Sequence, residues 1–238
     1  MSHIDLTGRI ALITGASRGI GAAVAKACAA AGAHVILVAR NQRKLEKIDD
    51  EIRAAGGKAT LLPLDLMQLD ELDKLGPSIY ERFGKLDIFI GNAGLLGTLG
   101  PLPQISTREF QHVLETNLTA NFRLIKTLDP LLQASDSGRV IFVSTGQSVV
   151  HGRAYWGTYS LSKAALESMA RIYAAENEKT NLRINIIDPG AVRTDMRAAA
   201  KPGENPMSLP HPDEIVDMFL NLASPECTKH GEVVSVLY

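Results

Sequence analysis

The feature that most restricts this chain is the passage from an aliphatic run, Arg9-Ile-Ala-Leu-Ile-Thr14, through Gly15-Ala-Ser-Arg-Gly19-Ile-Gly21 into a stretch with eight alanines between residues 22 and 33. Strand, glycines and helix in that order make a phosphate-cradling βα turn. Gly15 permits the tight turn, small residues let backbone approach a pyrophosphate, and Gly21 lets the helix pack hard on the strand. The N–H groups at the helix start then face the anion, with Ser17, Arg18, Gly19 and Ile20 around it. An ordinary tight turn is the alternative for a glycine cluster alone; the strand before it and the helix after it count against that.

The rest of the chain repeats the alternation. Short aliphatic runs at Arg9–Thr14, His34–Ala39, Ala59–Leu64, Leu86–Gly91, Arg139–Ser144, Arg183–Asp188 and Glu232–Val236 predict strands. Helix-length stretches near 19–32, 42–55, 68–83, 106–133, 158–178 and 213–223 lie between them. Continuous apolar strands separated by helices predict an α/β fold: one doubly wound, mainly parallel, seven-stranded sheet with helices on both faces, joined by right-handed crossovers. There is no repeat and no long linker, so residues 1–238 read as a single domain. Between Arg197 and Pro212 stand Pro202, Pro206, Pro210, Pro212 and Gly203, which break regular structure. A loop there, about 195–212, follows a strand end, where open α/β sheets bind ligands; it is a candidate substrate-covering segment, with a plain surface loop as the alternative.

Composition narrows the partners. Against 26 Asp+Glu stand 25 Lys+Arg, a net charge of −1, so no global field draws the chain to nucleic acid or an anionic membrane. No apolar run reaches the ~20 residues of a membrane span. Two cysteines, Cys28 and Cys227, are too few for a disulfide framework, and the start of the chain lacks a signal-peptide pattern, so the expected compartment is the cytoplasm. The six histidines are scattered without ligand spacing, and no metal site is expected.

The glycine spacing is Gly-x-x-x-Gly-x-Gly. In Thr14-Gly-Ala-Ser-Arg-Gly-Ile-Gly21 it resembles the cofactor motif of the short-chain dehydrogenase/reductase family. Further motifs follow in the family's order: Asp65-Leu66, Asn92-Ala-Gly94, Asn117, Tyr159-Ser-Leu-Ser-Lys163 and Asp188-Pro-Gly190 with Thr194 beyond. The resemblance covers about residues 7 to 235. It implies a Rossmann-type sheet and hydride transfer between a nicotinamide and a small or medium carbonyl compound or secondary alcohol. It also implies that Asp65 and Leu66 meet the adenine, and that Asn92, Ala93 and Gly94 line its ribose. Pro189, Gly190, Val192 and Thr194 would hold the nicotinamide end. A homodimer or homotetramer is expected, with the 106–133 and 158–178 helices as contact surface, although the chain lacks the family's usual Asp-Gly-Gly after the last strand.

The cofactor's identity turns on the end of the second strand, where an NAD site usually carries an acid that accepts from the ribose 2′-hydroxyl. Here Ala39 stands at that position and Arg40 follows. A guanidinium pairs with a 2′-phosphate, and Arg18 is placed to close on the same group, so NADP is expected and NAD is less favoured. Solvated surface arginines are the alternative.

Tyr159 and Lys163 are four apart in a helical pattern and share a face. Free tyrosine titrates near ~10; moving it ~3 units toward neutrality takes about 4 kcal/mol, which a lysine ammonium one turn away in a dry cleft can help supply. The resemblance makes Tyr159 the acid/base, has Lys163 also bind the nicotinamide ribose, and gives Asn117 a water that links the lysine to solvent. The substrate-orienting hydroxyl stays open between Thr145 and Ser144, which stand fourteen and fifteen residues before the tyrosine, where about thirteen is usual. Tyr155 and Trp156 are candidates for the pocket wall, with core packing or an interface as the alternative. A regulator that binds NADP(H) without chemistry would be free to lose Tyr159 or Lys163, and both are present.

Overall fold

A computed structural model describes residues 4–235. Its centre is a seven-stranded sheet: β1 (Ile10–Thr14), β2 (His34–Ala39), β3 (Lys58–Pro63), β4 (Ile88–Gly91), β5 (Arg139–Val143), β6 (Arg183–Asp188) and β7 (Val233–Ser235), in the order β3-β2-β1-β4-β5-β6-β7. Every neighbouring pair is parallel. The expected end of the last strand, Val236, lies outside the described residues. The order turns back between β1 and β4, so the C-terminal ends of those strands open a crevice.

The helices are α1 (Gly19–Ala30), α2 (Gln42–Ala54), α3 (Leu69–Asp73), α4 (Leu75–Phe83), α5 (Thr107–Leu114), α6 (Ala120–Gln133), α7 (Gln147–Val150), α8 (Gly157–Glu176), α9 (Asp195–Ala200) and α10 (Val216–Ala223). Local chemistry sets their ends. Asn41 caps α2 by accepting from Lys44 N at 3.0 Å, and α2 buries Leu45, Ile48 and Ile52 on one stripe. Gly84, at φ +72°, closes α4 in the left-handed conformation. The sheet's faces pack separate cores. One joins Ala11, Ile13, Val35 and Leu37 to α1 and to Phe219 of α10; the other joins Leu12, Ile36, Phe89 and Phe142 to Leu124 and Leu128 of α6 and Leu166 of α8.

Two expected helices are not continuous. The 68–83 stretch divides at Lys74 into α3 and α4. The 106–133 stretch is interrupted by a π turn, Glu115–Thr119, between α5 and α6. The proline-rich segment begins with α9 and then forms 3₁₀ turns at Pro206–Ser208 and Pro212–Ile215.

Candidate active site

The glycine turn is built by steric necessity. Gly15 has φ +67° and Gly19 φ +55°. A β-carbon on Gly21 would stand 2.4 Å from Gly15 O and 2.5 Å from Asn92 Nδ2, so no other residue fits. Thr14 ties the turn to β4: its Oγ1 accepts from the backbone N–H of Asn92 and of Ala93 at 3.0 Å each, while Asn92 Nδ2 donates to Thr14 O at 2.8 Å. The sequence reading gave Thr14 no role and assigned Asn92 only to ribose contact; this lock is a structural duty of both. No side chain caps the first turn of α1, whose N–H groups are left to a ligand. That cradle suits a pyrophosphate.

A cavity of about 750 Å³ runs from this turn to Tyr159. Its wall includes Gly15, Ser17, Arg18, Gly19, Ile20, Arg40, Asp65, Leu66, Asn92, Ala93 and Gly94, and, farther along, Ser144, Thr145, Tyr159, Lys163, Pro189, Gly190, Val192 and Thr194. Gly21 and Asn117 stand behind the wall. Each expected phosphate-binding arginine faces a carboxylate: Arg18 Nη1 is 2.9 Å from Asp195 Oδ2, and Arg40 Nη1 is 3.8 Å from Asp65 Oδ2. The Arg18 pair joins the glycine turn to the start of α9. The segment beyond is stapled rather than loose, because Arg197 grips Glu204 through two hydrogen bonds of 2.6 Å and Thr194 caps α9.

At the far end, α8 brings Tyr159 and Lys163 into one buried face. Burial, aided by the charge of Asp188, pushes the Tyr159 phenol up to about 12; a hydrogen bond from Thr145 acts the other way. The downward shift expected from the lysine is therefore not produced by the protein's own groups. Lys163, 3 % exposed, donates from Nζ to Val143 O at 2.6 Å, with Nζ 5.8 Å from the Tyr159 ring centroid. Burial holds its ammonium down at about 8, and Glu167 opposes that shift.

The two candidate hydroxyls divide. Thr145 meets the Tyr159 phenol, whereas Ser144 Oγ donates to Glu167 Oε1 at 2.7 Å. Asn117 is fully buried in the π turn; its Oδ1 accepts from Leu95 N at 2.7 Å and its Nδ2 donates to Leu95 O and Ser162 Oγ. A β-carbon on Gly94 would lie 3.5 Å from both Asn117 Oδ1 and Lys163 Nζ, so these two groups flank one glycine. Trp156 packs edge-on to Tyr159 at 6.0 Å, in an apolar cluster with Val149, Leu96, Leu99, Met196 and Ala200. Tyr155 is 64 % exposed at φ +70° and is not part of the wall. Sequence reasoning gave no role to Glu167 or Asp188. The first continues the four-residue spacing Tyr159, Lys163, Glu167, and the second ends a buried strand.

Comparison with known proteins agrees with this fold. Residues 9–205 match the family model described as short chain dehydrogenase. An uncharacterized oxidoreductase, YciK, of Escherichia coli K12 is 38 % identical over 218 residues, spanning 90 % of this chain and 86 % of the relative. A short chain dehydrogenase from Escherichia coli CFT073, solved in complex with NADPH, is 38 % identical with a TM-score of 0.94, covering 99 % of both chains. One from Shigella flexneri 2a strain 301, solved with NADP, is 38 % identical with a TM-score of 0.93, covering 98 % of this chain and 99 % of that one.

Proposed function

Because the chain belongs to the short-chain dehydrogenase family, a family of oxidoreductases, we propose that its cavity serves NADP(H)-dependent interconversion of a small or medium ketone or aldehyde and its alcohol. The observation that carries this is one cavity with an uncapped glycine-turn helix at one end and Tyr159, Thr145 and Lys163 at the other. When bound, the nicotinamide supplies or accepts the hydride. The first turn of α1, with Ser17, Gly19 and Ile20, would hold the pyrophosphate. Arg18 and Arg40 would exchange their carboxylates for the 2′-phosphate, Asp65 and Leu66 would meet the adenine, and Asn92, Ala93 and Gly94 its ribose. Pro189, Gly190, Val192 and Thr194 would hold the carboxamide end. The relatives solved with NADPH and NADP support the phosphorylated cofactor.

Tyr159 gives its hydroxyl proton to the substrate oxygen in reduction and takes it back in oxidation. A phenol pushed up by burial holds its proton until a substrate oxygen accepts it. Thr145 Oγ1 orients the substrate oxygen beside that phenol. Lys163 would bind the nicotinamide ribose, its ammonium would stabilise the phenolate together with the positive charge that the oxidised nicotinamide supplies when bound, and Asn117 would hold the water that connects the lysine to solvent. Trp156, Leu96, Met196 and Ala200 would exclude water and receive an apolar substituent. The free thiols Cys28 and Cys227 suit a reducing cytoplasm.

The test is to offer NADPH and NADH separately, by thermal stabilisation and then by consumption over a panel of ketones and aldehydes. NADPH is expected to stabilise more strongly and to be consumed with apolar carbonyl compounds. Equal or stronger stabilisation by NADH would overturn the cofactor assignment.

A further inference from the structure

Glu167 is a carboxylate whose side chain is 1 % exposed, one turn beyond Lys163 on α8. A buried carboxylate is costly unless its oxygens are satisfied and a counter-charge is near. Both oxygens are held: Oε1 accepts from Ser144 Oγ at 2.7 Å, and Oε2 accepts from Arg171 Nη2 at 2.9 Å, whose guanidinium is half exposed. The inner neighbour at the same helical spacing is the Lys163 ammonium. That ammonium donates to the Val143 carbonyl, a dipole and not an ion, so its charge needs an anion from elsewhere.

Around the Tyr159–Lys163 pair stand Glu167 on the same helix, the Val143 carbonyl and Thr145 at the end of β5, Asp188 of β6 and Asn117 of the π turn. Of the two carboxylates, Asp188 stands by the phenol, and Glu167 lies one helical turn from the ammonium on the same buried face of α8.

We propose that Glu167 is a positioning residue of this site: a clamped, buried counter-charge that keeps Lys163 protonated and, by engaging Ser144, leaves Thr145 as the hydroxyl that faces Tyr159. The proposal rests on the function proposed above only in that the charge on Lys163 matters for turnover.

The test uses full-length protein carrying ¹³C at the lysine ε-carbon, with the Lys163 resonance assigned by its loss in Lys163→Met. Glu167→Gln removes the charge, while its amide oxygen can still accept from Ser144. The Lys163 titration midpoint, read without substrate or cofactor, is expected to fall on the order of 1 unit, the scale of an ion one helical turn away in a partly dry site. An unchanged midpoint would overturn the proposal. Glu167→Asp, which keeps the charge but draws it back by one methylene, is expected to lower the Lys163 midpoint by less than Glu167→Gln does; this covers a Gln variant that fails to fold. A Lys163 midpoint unmoved in Glu167→Asp would also overturn it.

In turnover, the acid limb of alcohol oxidation by Glu167→Gln is expected to move to higher pH, because less ammonium means a less stabilised phenolate. A purely structural role would lower the rate without moving the limb. Loss of the Glu167 effect on the Lys163 titration sinks this proposal alone, whereas turnover that survives Tyr159→Phe sinks the reaction.

Discussion

At the scale of single residues, chemistry and packing are divided among neighbours. Ser144 and Thr145 are adjacent at the end of β5 and offer similar hydroxyls, yet one faces Glu167 and the other Tyr159. Substitution separates the roles. Thr145→Ala is expected to lower kcat on the order of 10²-fold, the scale of one lost orienting donor. Ser144→Ala is expected to cost about 1–3 kcal/mol of stability, because a buried Glu167 oxygen loses its partner. Steady-state kinetics and urea unfolding of both variants check this; a larger kcat loss in Ser144→Ala would reverse the assignment. The Tyr159–Lys163 pair was legible in the sequence because four-residue spacing places two side chains on one helix face whatever the tertiary context. The fate of Ser144 was not, since it depends on Glu167, a residue type that reads as surface until the packing of β5 on α8 is known.

At the scale of elements, strand positions were readable because buried parallel strands are unbroken aliphatic runs; β2 and β6 occupy the expected residues from end to end. Helix interruptions were less so. The π turn at Glu115–Thr119 carries no proline or glycine to announce it, and it places Asn117 against Leu95 and Ser162. The Arg18–Asp195 pair across the cavity mouth was equally hidden, because its partners are 177 positions apart. At 64 % and 76 % exposure it adds little stability, of order 0–1 kcal/mol. Its consequence is for binding: Asp195→Asn frees Arg18 and is expected to tighten NADPH by roughly 2- to 5-fold, the yield of such a pair. Arg40→Gln is expected to weaken NADPH and leave NADH unchanged. Calorimetric titration of both nucleotides reads these effects; equal changes for NADPH and NADH would remove the 2′-phosphate from the account.

At the scale of the whole molecule, the glycine turn and the Tyr159 face lie on one cavity, and on the proposed function substrate choice would fall to the segments around Trp156 and α9, which line it. Among the described residues no helix is long and apolar enough to cross a membrane. The sheet leaves Phe122 of α6 and Leu161 and Ile172 of α8 exposed at 54 %, 46 % and 57 %. Covering such apolar surface favours association, so light scattering is expected to report a dimer or tetramer, and the Phe122→Asp, Ile172→Asp double variant a smaller species. A monomeric wild type would place the contact surface outside the account.

On the proposed function, Tyr159 moves the proton that accompanies hydride transfer. This is tested most directly by Tyr159→Phe, assayed for NADPH binding and for NADPH consumption with a carbonyl compound that the wild type reduces. Binding is expected to stay within about 3-fold of wild type, under ~0.7 kcal/mol, with turnover reduced to background. Binding retained with turnover near the wild-type rate would contradict it.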